Sequence, residues 1–171
     1  RVLIAGATGY LGKYAVKAFK GRGYWVRVLS RNKEKLFEPG PFTAPALSAD
    51  DMDDIFIAEI SKPETLAGVM DGIDIVYSSV GISRQRDGLT FEQVDYQCNR
   101  NLIDLCRGSS VRRFVYVSMQ GAEHIMHLAI TRAHEKVVAD LKQSGMEYRI
   151  VRPCGYFSDM GALYDMASKG R

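Results

Sequence analysis

The apolar residues of this chain fall into six short runs, separated by longer segments of mixed polarity. Several of the runs are apolar at nearly every position, which is typical of strands buried on both faces of a parallel sheet. We therefore predict six strands. They occupy residues 2–5, 25–29, 55–59, 73–78, 113–118 and 148–151.

Between these runs, apolar residues recur every three or four positions, a spacing that predicts helices. Two of the predicted helices end at a glycine, Gly21 in one case and Gly145 in the other, and glycine is favoured just beyond a helix. The predicted helices cover 10–20, 91–106 and a segment around 133–141.

Two further segments are less regular. Ser61 and Glu64 have the spacing of a capping box, which predicts a helix from 61 to about 70. Residues 36–54 are rich in proline and aspartate, and we expect a loop there with one helical turn.

Strand and helix thus alternate along the chain. This alternation predicts right-handed crossovers and an α/β fold, a doubly wound parallel sheet with helices on both faces. The 171 residues suffice for one such domain and are too few for two. We predict a single domain over residues 1–171.

A glycine-rich turn joins the first strand to the first helix. Gly6, Gly9 and Gly12 lie there. A dinucleotide site needs glycine for the tight turn, for close approach of a pyrophosphate and for helix–strand packing, and the helix N-terminus attracts phosphate. The turn therefore predicts phosphate binding, and Thr8, Tyr10 and Leu11 belong to the same segment.

The spacing Gly-x-x-Gly-x-x-Gly, with the segments 77–81, 113–118 and 144–153, carries a resemblance to a known family. The chain resembles the extended and atypical short-chain dehydrogenases/reductases, in particular their NmrA-like, NAD(P)-binding branch. The resemblance implies a Rossmann-type fold with a nicotinamide cofactor. It also implies that Glu59 and Ile60 contact the adenine, and that the remaining cofactor contacts come from Ser79, Val80, Gly81 and Pro153.

Arg31 stands where NAD-preferring proteins of this kind carry an acidic residue, and Lys33 and Lys35 follow it. A guanidinium group can bind a 2′-phosphate with two hydrogen bonds. We therefore expect NADP(H), with NAD(H) as the second choice. The alternatives are a solvated basic turn at Arg31 and a solvated strand-end carboxylate at Glu59.

The resemblance also implies a catalytic serine followed by Tyr-x-x-x-Lys. Ser118 and Lys136 occupy the serine and lysine positions, but Arg132 stands where the tyrosine belongs. Two interpretations remain open: an oxidoreductase whose quinone-like or carbonyl acceptor needs no tyrosine acid, or a non-catalytic cofactor-binding sensor, regulator or assembly protein. Ser118 as a turn cap and Lys136 as an exposed lysine are the structural alternatives.

Composition narrows the partners. The formal charge is +3, and we see no basic stripe with interleaved aromatic residues, so direct nucleic-acid binding is not expected. No stretch approaches the ~20 apolar residues of a membrane span. We expect a small-molecule substrate or a protein partner, no membrane contact and a cytoplasmic location, and we leave a homodimer open.

The histidines at 124, 127 and 134 lack metal-site spacing and are interpreted as loop and helix-surface residues near a substrate opening.

Only 18 residues follow Pro153. The resembling proteins carry a substrate-binding extension beyond their sixth strand. We expect this chain to be a piece of a longer protein, without that extension.

Overall fold

The computed structural model describes residues 1–82 and 88–170. Its six strands form one parallel sheet in the order β3-β2-β1-β4-β5-β6, which is the doubly wound order expected. Neighbouring strands of the sheet are parallel throughout. In β1, for example, Ala5 pairs with Leu29 on one side and with Ser78 on the other. The strands are β1 (Val2–Ala5), β2 (Val26–Ser30), β3 (Asp54–Ile57), β4 (Ile75–Ser78), β5 (Arg113–Val117) and β6 (Glu147–Val151).

The described residues form five α-helices, and the first of them has the predicted bounds. The long predicted segment at 91–106 begins as a π-helix (Glu92–Gln97) and continues as α3. The α-helices are α1 (Tyr10–Lys20), α2 (Glu34–Phe37), α3 (Cys98–Cys106), α4 (Ala129–Gln143) and α5 (Phe157–Ser168).

The prediction of a helix after β3 is wrong. Only a short 3₁₀ turn (Pro63–Leu66) forms there. The Ser61 hydroxyl donates to the Glu59 carboxylate instead of capping a helix. The Thr65 hydroxyl donates to the backbone carbonyl of Glu59, and Gly68 then turns the chain with a φ of +81°. These local bonds compete with a helical backbone, as short polar side chains commonly do.

The loop predicted over 36–54 is confirmed in outline, but α2 begins before it. Two 3₁₀ turns, Pro41–Thr43 and Ala49–Asp51, lie within it. A capping box does form at the second turn, where Asp51 accepts from the backbone N–H of Ser48.

Two hydrophobic cores lie on opposite faces of the sheet. One packs α3 and α4 against the strands, and the other packs α1 and α2 against the other face. The helices thus leave the carboxyl ends of the strands at one open edge. The first core includes Leu102, Ile103, Val137 and Leu141, and the second includes Ala15, Val16 and Leu36.

Lys13, in the first turns of α1, is fully buried. Its Nζ donates to three backbone carbonyls, those of Lys35 (3.0 Å), Leu36 (2.6 Å) and Glu38 (2.8 Å). Burial lowers the pKa of this amine below its usual value, although the Glu38 carboxylate opposes the shift. Lys13 therefore ties the loop that follows β2 to the base of α1.

Candidate functional site

Two adjoining cavities open at the carboxyl edge of the sheet, between β1 and β4. Strand order reverses at this point, which is where ligands of open α/β sheets bind. The cavities have volumes of about 490 Å³ and about 550 Å³ and share a wall. The shared wall consists of Gly9, Ser79, Val80, Gly81 and Ile82.

The glycine turn lies where the two cavities meet. Gly6 has a φ of +86°, and a Cβ there would lie 2.9 Å from the carbonyl oxygen of Ser79. Gly9 is the N-cap of α1, and no side chain in the described part of the chain caps the helix. The first N–H groups of an uncapped helix are available to an anion. A side chain would fill this cradle, so these residues fit a dinucleotide pyrophosphate.

The first cavity gathers the residues predicted to hold the adenosine half. Gly6 and Thr8 line it together with Arg31, Glu59 and Ile60. The Arg31 side chain is 69% exposed, and its Nη1 lies 3.7 Å from Oε1 of Glu59. A hydrogen bond from Ser61, with the nearby charges of Lys62 and Arg31, holds the pKa of the Glu59 carboxyl below its usual value.

The second cavity continues from the glycine turn toward the ends of β5 and β6. Of the predicted residues, Tyr10, Leu11, Gly12, Ser118 and Pro153 line it. Every predicted cofactor residue therefore lies on the wall of one cavity or the other. Their contacts with a cofactor stay a prediction.

Three aromatic rings lie together on one wall of the second cavity. The ring centroid of Tyr10 is 6.1 Å from that of Phe42 and 5.8 Å from that of Tyr156. Phe42 is 60% exposed and has left-handed backbone angles, φ 52° and ψ 42°. Such angles are strained for a bulky residue and concentrate at ligand clamps and other functional sites. Sequence reasoning did not find Phe42.

The two predicted catalytic residues are in different places. Ser118 is buried beside the second cavity, and its hydroxyl accepts a long hydrogen bond (3.5 Å) from Arg152. The Lys136 ammonium donates to Glu92 at 2.6 Å and lies 5.0 Å from the ring centroid of Tyr96. Lys136 is not among the described residues that line the two cavities.

Arg132, at the expected tyrosine position, is also directed elsewhere. Its Nη1 donates to the backbone carbonyls of Met126 (3.1 Å) and His127 (2.7 Å). It therefore braces the segment before α4 and does not replace a phenol acid in the second cavity.

A buried polar group that the sequence did not single out lies behind that cavity. The Asp95 side chain, on the π-helix, is 1% exposed and accepts the Ile82 N–H at 3.2 Å. His134 Nε2 is 3.6 Å from Asp95 Oδ1, and Tyr116 places its hydroxyl 2.6 Å from His134 Nδ1. Asp95 and His134 both line the second cavity.

Burial acts on these groups in opposite directions. It raises the pKa of the Asp95 carboxyl to about 7 and lowers the pKa of the His134 imidazole to about 4, because each site disfavours the charged form. The interpretation of His134 as a helix-surface residue is wrong, since only 11% of its side chain is exposed. One signal for Asp95 was present in the sequence: it falls on the same helical face as Cys98 and Leu102.

Two negative observations concern the described residues, 1–82 and 88–170. They contain no group of three or more histidine, cysteine, aspartate or glutamate side chains arranged to hold a metal ion. None of their helices combines the length and apolar character that crossing a bilayer requires.

The parallel sheet, the glycine turn and the paired cavities at the switch point define a Rossmann-type dinucleotide-binding domain. The comparison with protein families gives the same result more specifically. A model described as NAD(P)H-binding matches residues 6–170, so the chain belongs to the NAD(P)H-binding family. The predicted NAD(P)-binding character of the family is thereby confirmed, whereas the short-chain dehydrogenase/reductase superfamily and its NmrA-like branch stay predictions.

Individual proteins show the same relationship. The chain is 29% identical over 163 residues to the photosystem II assembly factor Ycf39 of Cyanophora paradoxa, covering 95% of this chain and 48% of the relative. It is 26% identical over 178 residues to the divinyl chlorophyllide a 8-vinyl-reductase of Cucumis sativus, covering 99% and 42%. The chain thus spans about half the length of these curated relatives.

A solved structure shares the fold. The NADPH complex of the quinone oxidoreductase from Escherichia coli superposes with a TM-score of 0.71 at 21% identity. The superposition covers 99% of this chain and 55% of that one.

Proposed function

We propose that this chain binds NADP(H) and directs a hydride from the reduced cofactor to a flat, quinone-like acceptor. The observation that carries the proposal is the second cavity, where the rings of Tyr10, Phe42 and Tyr156 lie beside Ser118. Aromatic walls favour flat rings, which stack in offset or edge-on arrangements.

The phosphorylated cofactor is favoured by the charge at the rim of the first cavity. Arg31 extends from the end of β2, is largely exposed and has a loose ion pair with Glu59. A phosphate group is a stronger bidentate partner for a guanidinium than a carboxylate 3.7 Å away. Arg31 would hold the 2′-phosphate, while the glycine turn and the N-terminus of α1 would hold the pyrophosphate.

The choice of acceptor follows from the lack of a phenol acid at position 132, where Arg132 stands in place of tyrosine. When bound, the nicotinamide supplies a hydride. A carbonyl substrate needs a proton donor at the same moment, which Arg132 cannot provide because its charge is committed to two backbone carbonyls. A quinone accepts the hydride onto a polarised ring system, and solvent protons complete the reduction. Ser118 would hydrogen-bond an acceptor oxygen.

Two relatives favour this reading through their names alone. The Escherichia coli protein is a quinone oxidoreductase that uses NADPH, and the Cucumis sativus protein is a reductase. These activities belong to those proteins; the Escherichia coli protein shares the fold of this chain, and the Cucumis sativus protein is similar to it in sequence.

The decisive experiment has two stages. NADPH and NADH are first titrated into the protein, with the fluorescence of the reduced nicotinamide as the signal. NADPH oxidation is then followed at 340 nm against a panel of quinones and a panel of aldehydes and ketones. We expect tighter binding of NADPH and turnover with quinones. Equal affinity for both cofactors would overturn the choice of NADP(H).

A second function is favoured by a different observation. The relatives at 29% identity are named as assembly factors, and α5 presents an exposed apolar surface that includes Phe157, Met160, Leu163 and Tyr164. A non-catalytic, cofactor-binding partner of another protein would explain both. Tight NADPH binding without turnover on any acceptor would select this function over the oxidoreductase. The predicted cytoplasmic location stays a prediction.

A further inference from the structure

The charged groups around the second cavity are few. Among the described residues that line it, Asp95 is the one carboxylate, and none is lysine or arginine. The Arg152 guanidinium, which contacts Ser118, pairs with two carboxylates, Glu135 at 2.7 Å and Glu123 at 3.1 Å, so its positive charge is already offset. The charge of the cavity wall therefore depends on whether Asp95 carries its proton.

The contacts around the Asp95 carboxyl bear on whether it is protonated or ionised. The Ile82 N–H contacts both carboxylate oxygens, at 3.3 Å and 3.2 Å, and supports the ionised form. On the other side, the Tyr116 hydroxyl lies 2.6 Å from Nδ1 of His134, and Nε2 of the same ring faces Asp95. The Nε2–Oδ1 distance of 3.6 Å is too long for a full hydrogen bond, so the support it gives is electrostatic.

Burial opposes these contacts. Asp95 is enclosed by Ile82 from the loop after β4, by Tyr116 from β5, by His134 from α4 and by the thiol of Cys98 one turn along its own helix. The ionised form is therefore costly until a positive charge is present nearby. The carboxyl titrates near neutral pH as a result.

The oxidised nicotinamide ring carries a positive charge, and the reduced ring is neutral. Resting on the proposed function, which assigns the nicotinamide to the second cavity, we propose that Asp95 sets the preference of this site between the two oxidation states. It is ionised when NADP⁺ is bound and protonated when NADPH is bound. Exchange of bound NADPH for NADP⁺ is then accompanied by release of one proton from Asp95, and the reverse exchange by its uptake.

The test measures binding and not turnover. Dissociation constants of NADP⁺ and NADPH are determined between pH 6 and pH 8 by calorimetry. Both cofactors carry the same 2′-phosphate, so its titration cancels in the ratio of the two affinities. We expect the preference for NADP⁺ over NADPH to rise by about tenfold or more across this range. Repeating both titrations in two buffers of different ionisation heat should show that NADP⁺ binding releases more protons than NADPH binding at pH 6.5, a difference in which the 2′-phosphate again cancels.

Variants identify the group responsible. Asp95→Asn keeps an acceptor for Ile82 and is expected to make the ratio independent of pH. Asp104→Asn, on the exposed side of α3, is the matched control and is expected to behave as wild type.

Each failure has its own meaning. A wild-type ratio that does not change with pH, while both cofactors bind, overturns the inference and leaves the proposed function standing. A pH dependence that survives in Asp95→Asn also overturns it. If neither cofactor binds, the proposed function fails and the inference falls with it. If Asp95→Asn does not fold, the wild-type difference in proton release between NADP⁺ and NADPH decides, and equal release for the two overturns the inference.

Discussion

The backbone of Gly12 passes so close to Gly6 that a Cβ atom on Gly12 would lie 2.0 Å from the Gly6 carbonyl oxygen. Neither backbone can move far, because α1 begins and β1 ends there. We expect Gly12→Ala to lower the free energy of unfolding by about 1–3 kcal/mol, as overpacking does. It should also weaken NADPH binding, because the helix N-terminus is displaced.

Urea unfolding and a cofactor titration measure these two effects. Gly108→Ala is the control, since a Cβ there meets nothing within 4 Å and no positive φ applies. A Gly12→Ala protein with wild-type stability and affinity would contradict the close packing of the turn.

Arg31 is expected to determine cofactor choice. Replacing Arg31 with Asp puts a carboxylate where the 2′-phosphate would lie and removes hydrogen bonds to charge, each worth about 1.5–3 kcal/mol. The affinity for NADPH should fall by about 10- to 100-fold, and that for NADH should fall far less. Arg22→Asp is the control, because Arg22 donates to the Ala18 carbonyl and lines neither cavity as described. Equal losses for both cofactors would mean that Arg31 acts on folding only.

Phe42 offers a test of the aromatic wall. Glycine adopts left-handed angles without strain, so Phe42→Gly should preserve stability while removing the ring. An aromatic pair contributes about 0.5–1.5 kcal/mol, so we expect KM for a quinone to rise by about two- to tenfold with the NADPH affinity unchanged. Phe42→Tyr keeps the ring and should restore the wild-type KM. An unchanged KM in Phe42→Gly would remove Phe42 from the acceptor site.

Asp95 should also give the fold its own pH dependence. The pKa of its carboxyl is about 7 in the folded protein against 3.8 for a free side chain, so the folded state binds the extra proton between these values. Stability from this group is therefore complete at low pH and is lost as the pH rises toward 7. The wild-type minus Asp95→Asn difference in unfolding free energy should fall by up to about 1.4 kcal/mol per pH unit between pH 5 and 6.5.

This difference should level off above pH 8, where the carboxyl is ionised in both the folded and the unfolded state. Denaturant unfolding at several pH values measures it. The comparison with Asp95→Asn is needed because the pKa of His134 is lowered from 6.5 to about 4, so that histidine raises stability with pH over part of the same range. A flat difference would show that Asp95 is not a titrating group in the folded protein.

Local sequence patterns predicted what depends on local structure. The strands, α1 and the glycine turn form from short sequence runs that need no information about distant residues. The position of the two cavities then follows from the strand order of a doubly wound sheet. The helix after β3 failed because the Ser61 hydroxyl bonds to Glu59, a choice between two local partners that the capping pattern does not decide.

Contacts between distant residues could not be read in the same way. Asp95 and His134 are 39 positions apart and meet only because the π-helix packs against α4. Phe42 reaches Tyr10 through the irregular loop after β2, where the sequence gives no periodicity. The missing tyrosine was visible in the sequence, but the direction of Arg132 was not.

The buried Lys13 has a consequence for how the site responds to salt. Its side chain starts in the first turns of α1, and its ammonium group is held by three backbone carbonyls of the loop that follows β2. Counterions screen exposed charges such as Arg31, but they do not reach a cation enclosed by protein. The tie between this loop and α1 should therefore persist at high ionic strength, whereas the attraction of the exposed Arg31 for a 2′-phosphate should weaken.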